Sequence, residues 1–402
     1  MSGVDLRVNF CGVSLINPFL LASSPMTDQQ EMVARGFEAG WAGAILKTTT
    51  HPSEENSIVY PMMAGLDPGS RLVGLQNTDL LSDHFIDEMC AQAAWLKSRF
   101  PRHCVALSLM GTTRAHWQEL AQKACQAGAD LIEASISCPQ GSMVEGDEQP
   151  DGSMISQDAR LTEKVTRWTK EAAGKVPVVV KLSPGVTDIT RIARAVKQGG
   201  GDGICAIDSV EGIVGLDPSS CAPLPAVQGL GTRGGYTGRA VKPVGLRCIA
   251  DIAAAVDLPL SGVGGIYSWQ DALEYLLLGA TSLQVCTAVM QRGFGILDGL
   301  IDGLSRWMEV RGYASPAAFT GAGLKKLVVH EDVLHGIRVV ASIDAGACIG
   351  CGLCHVACRD GAHQAILFGE DRLAVVDREK CVGCGLCPQV CPVPGCIQMM
   401  NV

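Results

Sequence analysis

Short apolar runs alternate with longer amphipathic segments through residues 1–311. The apolar runs predict strands at 19–22, 44–47, 104–109, 131–137, 176–181, 203–207, 258–263 and 282–286. Segments with helical periodicity follow each of them, at 30–39, 84–97, 116–127, 158–173, 188–198, 240–255, 269–278 and 289–310. Strands that are apolar on both faces and separated by amphipathic helices run parallel, with the helices as crossovers. Eight such units in this length fit a closed (β/α)8 TIM barrel, an α/β fold, better than an open doubly wound sheet of five or six strands.

A barrel gathers its chemistry where strands end and the following loops begin. The chain places Ala22-Ser23, Lys47-Thr48, Ser135, Cys138, Lys181, Asp208-Ser209, Val263-Gly264-Gly265 and Cys286-Thr287 there. Two long loops, near 49–82 and 139–157, read as lids or binding loops, and the first carries Asn77, Asp79 and Leu80. Lysines ending inner strands, here Lys47 and Lys181, suit a Schiff base, a phosphate contact or a flavin ring that gains negative charge on reduction. The glycines at 262–265 and Cys286-Thr287 follow the seventh and eighth strands, the usual phosphate site of the fold. Gly229-x-Gly231-x-x-Gly234 matches a dinucleotide fingerprint literally, but it follows a proline-rich stretch and opens no helix, so it is read as a loop. NADH binding by this chain is not expected.

Composition changes the picture in the last sixty residues. Of 18 cysteines, nine fall between Cys348 and Cys396. They form Cys348-x2-Cys351-x2-Cys354-x3-Cys358 and Cys381-x2-Cys384-x2-Cys387-x3-Cys391-Pro392, the bacterial ferredoxin run twice over. Three cysteines on a glycine-rich turn wrap one cube, and the fourth of each run is expected on the other cluster. One 4Fe–4S cluster would take Cys348, Cys351, Cys354 and Cys391, the second Cys381, Cys384, Cys387 and Cys358. Arg359 stands where proline often follows, and Cys396 is spare. Zinc is the alternative for paired C-x2-C units, and the x2-x2-x3 spacing fits it less well. A phosphate-bearing redox cofactor beside such clusters is most economically FMN.

The domains expected are the barrel at 1–311, a connector at 312–344 and a ferredoxin-like two-cluster domain at 345–402. The formal charge of −9, with charged residues at 18% and hydrophobic residues at 47%, describes a packed acidic protein with no broad basic surface for nucleic acid. The first residues lack a basic start with an apolar run, and no stretch has the length of a membrane span. So many cysteines without an export signal point to a reducing compartment, the cytoplasm.

The segments NPFLLASSP, GWAGAILKT, Ser137-Cys138-Pro139, VKLSP, GGYTGRAVKPVGLR, SGVGGI and LQVCTAVMQ closely resemble the dihydroorotate dehydrogenase superfamily. With the double-cluster tail, the resemblance narrows to the FMN- and cluster-bearing subunits of bacterial NAD-dependent dihydropyrimidine dehydrogenases. It covers almost the whole chain. It implies a hetero-oligomer in which an NADH-oxidising FAD and iron–sulfur subunit sends electrons through the clusters to FMN. FMN N5 would exchange a hydride with one carbon of a C=C bond in a cyclic amide, and Cys138 the proton at its neighbour. A free cysteine is also commonly a buried small hydrophobe, and that reading of Cys138 stays open. Lys47 and Lys181 match the flavin-contacting lysines, and Gly238 lies in a cofactor-binding segment.

The expected substrate residues depart from the family. Asn77 is kept, but Asp79 stands for Glu, Ser135 for Asn, and Asp208-Ser209 for Asn-Thr. An amide offers donor and acceptor, while an ionised Asp only accepts. The substrate is therefore either larger on one side than uracil or carries an extra N–H donor or positive charge opposite Asp208, or it is an ordinary pyrimidine in a site where Asp208 turns away or Ser135 and Asp208 compensate each other. Dihydroorotate oxidation is a further alternative.

Overall fold

The computed structural model describes residues 3–54, 59–66, 72–79, 81–137, 155–370 and 372–402. The chain divides into two compact units, Met1–Leu327 and Val328–Val402.

In the first unit eight parallel strands close into a barrel: β1 Phe19–Leu21, β2 Gly43–Thr49, β3 Cys104–Leu109, β4 Leu131–Ser135, β5 Val178–Leu182, β6 Gly203–Ala206, β7 Leu260–Val263 and β8 Ala280–Val285. Helices α1 Gln30–Glu38, α2 Ile86–Arg99, α3 Arg114–Gln126, α4 Ala159–Ala173, α5 Ile189–Gln198, α6 Lys242–Ala255 and α7 Trp269–Leu277 follow the first seven strands in turn. Side-chain oxygens cap several of them, satisfying N–H groups that the helix itself leaves open. Thr113 accepts from His116 N at 3.1 Å, and Asp158 from Arg160 N at 2.7 Å.

Alternation along each strand explains why the runs are apolar throughout. Leu20, Ile45, Ala106, Leu131, Val179 and Cys205 pack together as one cluster inside the barrel. Their neighbours Leu21, Leu46, Leu107, Ile132, Val180 and Ile204 pack in the second cluster, with the helices. Period two then places Lys47, Ser108, Glu133, Lys181 and Gln284 on the inward face, nearer the strands' C-terminal ends. The barrel interior is apolar at its base and polar at its mouth.

The structure departs from the sequence reading in three places. Residues expected as one long loop contain strands Met63–Leu66 and Gly74–Asn77, which join Gly234–Gly238 and Val210–Gly212 in a four-stranded antiparallel sheet. Two of those strands are more than 130 residues distant in sequence, so no local pattern announces the pairing. The last predicted helix is two, α8 Thr287–Arg292 and α9 Ile296–Arg311, because Gly293 sits between them at φ +78. The stretch 312–344 is not a free connector. Phe319 packs against Trp307 and Tyr313 of the barrel unit, and Val339–Ile343 pairs with Ile397–Asn401 in the tail unit.

The tail unit holds α10 Leu353–Gly361 and α11 Leu386–Val390, with the antiparallel pairs Val339–Ile343/Ile397–Asn401 and Ile366–Phe368/Ala374–Val376. Each helix opens from a left-handed glycine, Gly352 or Gly385. Among the described residues no helix is long and apolar enough to cross a membrane.

Candidate active site

At the C-terminal ends of the barrel strands lies a cavity of about 540 Å3. Ala22, Ser23, Lys47, Thr48, Asn77, Asp79, Ser135, Lys181, Asp208, Ser209, Gly238, Val263, Gly264, Gly265, Cys286 and Thr287 all line it. Leu80 and Cys138 lie outside the described residues. The four-stranded sheet walls the cavity through Met63, Leu75, Asn77 and Gly234-Gly235. Asn77 Nδ2 donates to the Gly235 carbonyl at 3.0 Å, tying two of its strands together at the cavity wall.

The two lysines differ. Lys47 Nζ donates to Asp79 Oδ2 at 2.6 Å, and both side chains are nearly inaccessible, at 7% and 6% exposed. Lys181 stands 3.8 Å from Glu133 Oε1 and 3.8 Å from Asp208 Oδ1, beyond hydrogen-bonding distance of either. Burial alone would lower its pKa, but the Asp208 and Glu133 carboxylates outweigh that and hold it above its ordinary value. Asp208 shows the converse. Burial would raise its pKa, yet Lys181, the Ser137 hydroxyl and the Ser209 N–H together hold it below the usual carboxylate range. It faces the cavity as an acceptor, anchored from behind.

Ser23, Thr48 and Ser108 form a hydroxyl chain, with Thr48 Oγ1 3.1 Å from Ser23 Oγ and 2.9 Å from Ser108 Oγ. The glycine loop after β7 is pinned by the Tyr275 hydroxyl, which donates to the Gly264 carbonyl at 2.7 Å. Gly264 and Gly265 have φ of +122 and +68, and a Cβ on Gly265 would come within 2.7 Å of Lys242 Cβ. Only glycine leaves this backbone free to cradle a ligand.

The wall also carries buried polar atoms with no partner among the described residues: Gln284 Oε1 and the Tyr267 hydroxyl, on residues 1% and 5% exposed. Arg239 and Arg292 lie over the Tyr267 ring, 4.7 and 5.4 Å from its centroid. Two lysines, a glycine cradle and unfilled amide and hydroxyl groups fit a flavin, whose ring edge alternates donors and acceptors and whose phosphate needs N–H groups.

Sequence reasoning passed over Glu133, Ser137, Tyr267 and Gln284. For Glu133 and Gln284 a signal existed: each is a polar residue inside an apolar strand, at a position whose parity points inward.

In the tail, Cys348, Cys351, Cys354 and Cys391 line one small cavity of about 20 Å3, and Cys358, Cys381, Cys384 and Cys387 line another of about 20 Å3. The fourth cysteine of each run does lie with the other run's three. Gly350 and Gly383, inside the first C-x2-C of each run, take φ of +64 and +74 to make the turn. Cys396 also borders the first cavity and directs its Sγ to the Asp344 carbonyl at 3.7 Å.

A (β/α)8 barrel with a polar, lysine-bearing mouth and a tail of paired cysteine quartets defines a flavin oxidoreductase with an iron–sulfur domain. Residues 5–308 match the dihydroorotate dehydrogenase family, and residues 341–399 match a 4Fe-4S dicluster domain. The chain belongs to the dihydroorotate dehydrogenase family. It is 38% identical over 363 residues, 89% of this chain and 86% of the relative, to NAD-dependent dihydropyrimidine dehydrogenase subunit PreA of Escherichia coli K12. It is 33% identical over 343 residues to the chloroplastic dihydropyrimidine dehydrogenase (NADP(+)) of Arabidopsis thaliana, covering 82% and 79% of the two chains. Over 323 residues it is 33% identical to the catalytic subunit of dihydroorotate dehydrogenase B (NAD(+)) of Pyrococcus abyssi, covering 80% of this chain and 99% of that one.

Proposed function

We propose that this chain reduces, or reversibly oxidises, the C=C bond of a pyrimidine or related cyclic unsaturated amide, using FMN in the barrel and two 4Fe–4S clusters in the tail. The observation that carries it is the single cavity in which both buried lysines, the glycine cradle and Asn77, Asp79, Ser135 and Asp208 meet. The names of the relatives, dihydropyrimidine and dihydroorotate dehydrogenases, support the same reaction class. FMN, when bound, supplies hydride transfer to or from one carbon of the double bond.

The chain's own residues do the rest. Cys138 exchanges the proton at the neighbouring carbon. Lys181, kept as an ammonium by its carboxylates, faces negative charge gathering on a bound ring. The glycine loop and Thr287 receive the phosphate. Cys348, Cys351, Cys354 and Cys391 hold one cluster; Cys358, Cys381, Cys384 and Cys387 hold the other. Electrons arrive through them from an NADH-oxidising flavoprotein subunit in the cytoplasm.

One observation constrains the ring edge that the substrate presents. Asp208 is held as an acceptor, so the ring edge that meets it needs an N–H donor or a positive charge. The cavity is also poor ground for the carboxylate of dihydroorotate, because Asp79 already offsets the charge of Lys47 and Asp208 repels an anion. The test is steady-state turnover of uracil, thymine, dihydroorotate and amino-substituted analogues by the chain together with its NADH-oxidising subunit. Turnover of a neutral or N–H-richer ring, with dihydroorotate inert, is expected. Dihydroorotate as the sole efficient substrate would overturn it.

A further inference from the structure

We infer that Glu133 is a positioning residue for Lys181, its buried carboxylate fixing the ammonium at the cavity wall and thereby setting the reduction potential of the flavin held there. The inference rests on the flavin reading of the cavity given above.

Glu133 sits in the middle of β4 and is 0% exposed. Its neighbour two residues back on the same inward face, Leu131, packs in the apolar base of the barrel. An apolar residue would therefore fill this position at far lower desolvation cost than a carboxylate. One carboxylate oxygen is satisfied: Oε2 accepts from Gln284 Nε2 of β8 at 2.8 Å. The other is not. Among the described residues Oε1 has no N–H or O–H donor; the Cys205 thiol lies beside the carboxylate, and the nearest cation is Lys181 Nζ on the adjacent strand, at 3.8 Å. A purely structural glutamate would be expected to use both oxygens.

The geometry suits a charge that holds another charge in place. Register puts Ser135 opposite Lys181 on β4 and β5, so Glu133 lies one inward position deeper than the ammonium. From there its negative charge draws the lysine down, while Asp208 flanks it from the end of β6. Neither carboxylate takes a hydrogen bond from Lys181, so the N–H groups stay available to a ligand at the mouth. Lys47 has no such freedom, since Asp79 binds it directly. Drawn down toward Glu133, the ammonium stabilises the extra negative charge of a reduced ring less than a lysine free to rise would, and the potential is held lower.

The test is the midpoint potential of bound FMN, from anaerobic dye titration of the full chain, with FMN dissociation measured alongside. Glu133→Gln keeps shape and removes charge. It is expected to favour the reduced over the oxidised bound flavin about tenfold, which for a two-electron couple is a rise of about 30 mV. Glu133→Asp, which keeps the charge, should return most of the way to the starting value. An unchanged potential in E133Q, with only FMN affinity or stability reduced, would overturn the inference and leave a structural role. If E133Q does not fold, Lys181→Met is compared with the double variant E133Q/K181M, in which the buried pair is removed together. With no ammonium left to place, the double variant should keep the potential of K181M; a higher potential in the double variant would show Glu133 acting on the flavin directly and overturn the inference. A chain that binds no FMN would instead sink the underlying reading of the cavity.

Discussion

The tail and the barrel carry their chemistry in opposite ways. In the tail, each cysteine lies three or four residues from the next within its run, and positive-φ glycines form the turns, so local spacing specifies the proposed ligands. In the barrel, Lys47 finds its partner 32 residues away at Asp79, and the carboxylates around Lys181 come from β4 and from the loop after β6. A local motif names the bound group but not its task. A distributed site names the task only once the strands are closed. Under the proposed function the two units divide the work accordingly, the tail passing electrons and the barrel shaping what receives them.

The sharpest way to break this division is to disable one side and ask whether the other survives. Cys138→Ala should cost about 10²- to 10⁴-fold in substrate turnover, the usual range for a lost general acid. Reduction of the clusters by dithionite should be unchanged, as followed by visible absorbance. Full turnover in this variant would remove Cys138 from the proposed proton transfer. The reciprocal change, Cys384→Ala, should remove one cluster, about half of the bound iron. NADH-linked turnover should be lost, while dithionite-reduced flavin still reacts with substrate. Iron analysis and single-turnover kinetics check both halves.

Smaller changes sharpen the contrast within the barrel. Asp79→Asn leaves Lys47 as a buried cation without its counter-ion, at a cost of about 3–5 kcal/mol, seen as a lower urea midpoint for the chain. Asp208→Asn restores a donor and should shift preference toward uracil over N–H-richer analogues. A hydrogen bond to a charged group is worth about 1.5–3 kcal/mol, so the ratio of kcat/KM values should move roughly ten- to hundred-fold.

The pH dependence of stability gives the smallest effect. Asp208 has a folded pKa below its unfolded value of about 3.9. Its contribution is therefore fully present above that value and lost as pH falls through the folded pKa. Urea unfolding between pH 5 and 3 should show a shallower acid loss in D208N than in the parent chain.

The eight strands were legible because both faces of each are apolar, and the cavity-lining residues because strand ends sit at the mouth. The cysteine quartets were legible down to the crosswise grouping of Cys358 and Cys391. What stayed hidden depends on distance. The sheet joining Met63–Leu66 to Val210–Gly212 is built from segments far apart in sequence, each too short to stand out. Glu133 and Gln284 read as blemishes in apolar strands until parity and closure place them side by side. The break between α8 and α9 was written in Gly293 and Gly295, but periodicity across it is good enough to mask the stop.

Under the proposed function, electrons held in the tail reach a cyclic amide through the barrel. The direct measurement is anaerobic: reduce the purified chain with dithionite, remove the excess, and mix it with a panel of unsaturated cyclic amides while recording the visible spectrum. Flavin and cluster absorbance should return together with one or more of them, and neither should return in C138A. Failure of every member of the panel to reoxidise the native chain would contradict the account.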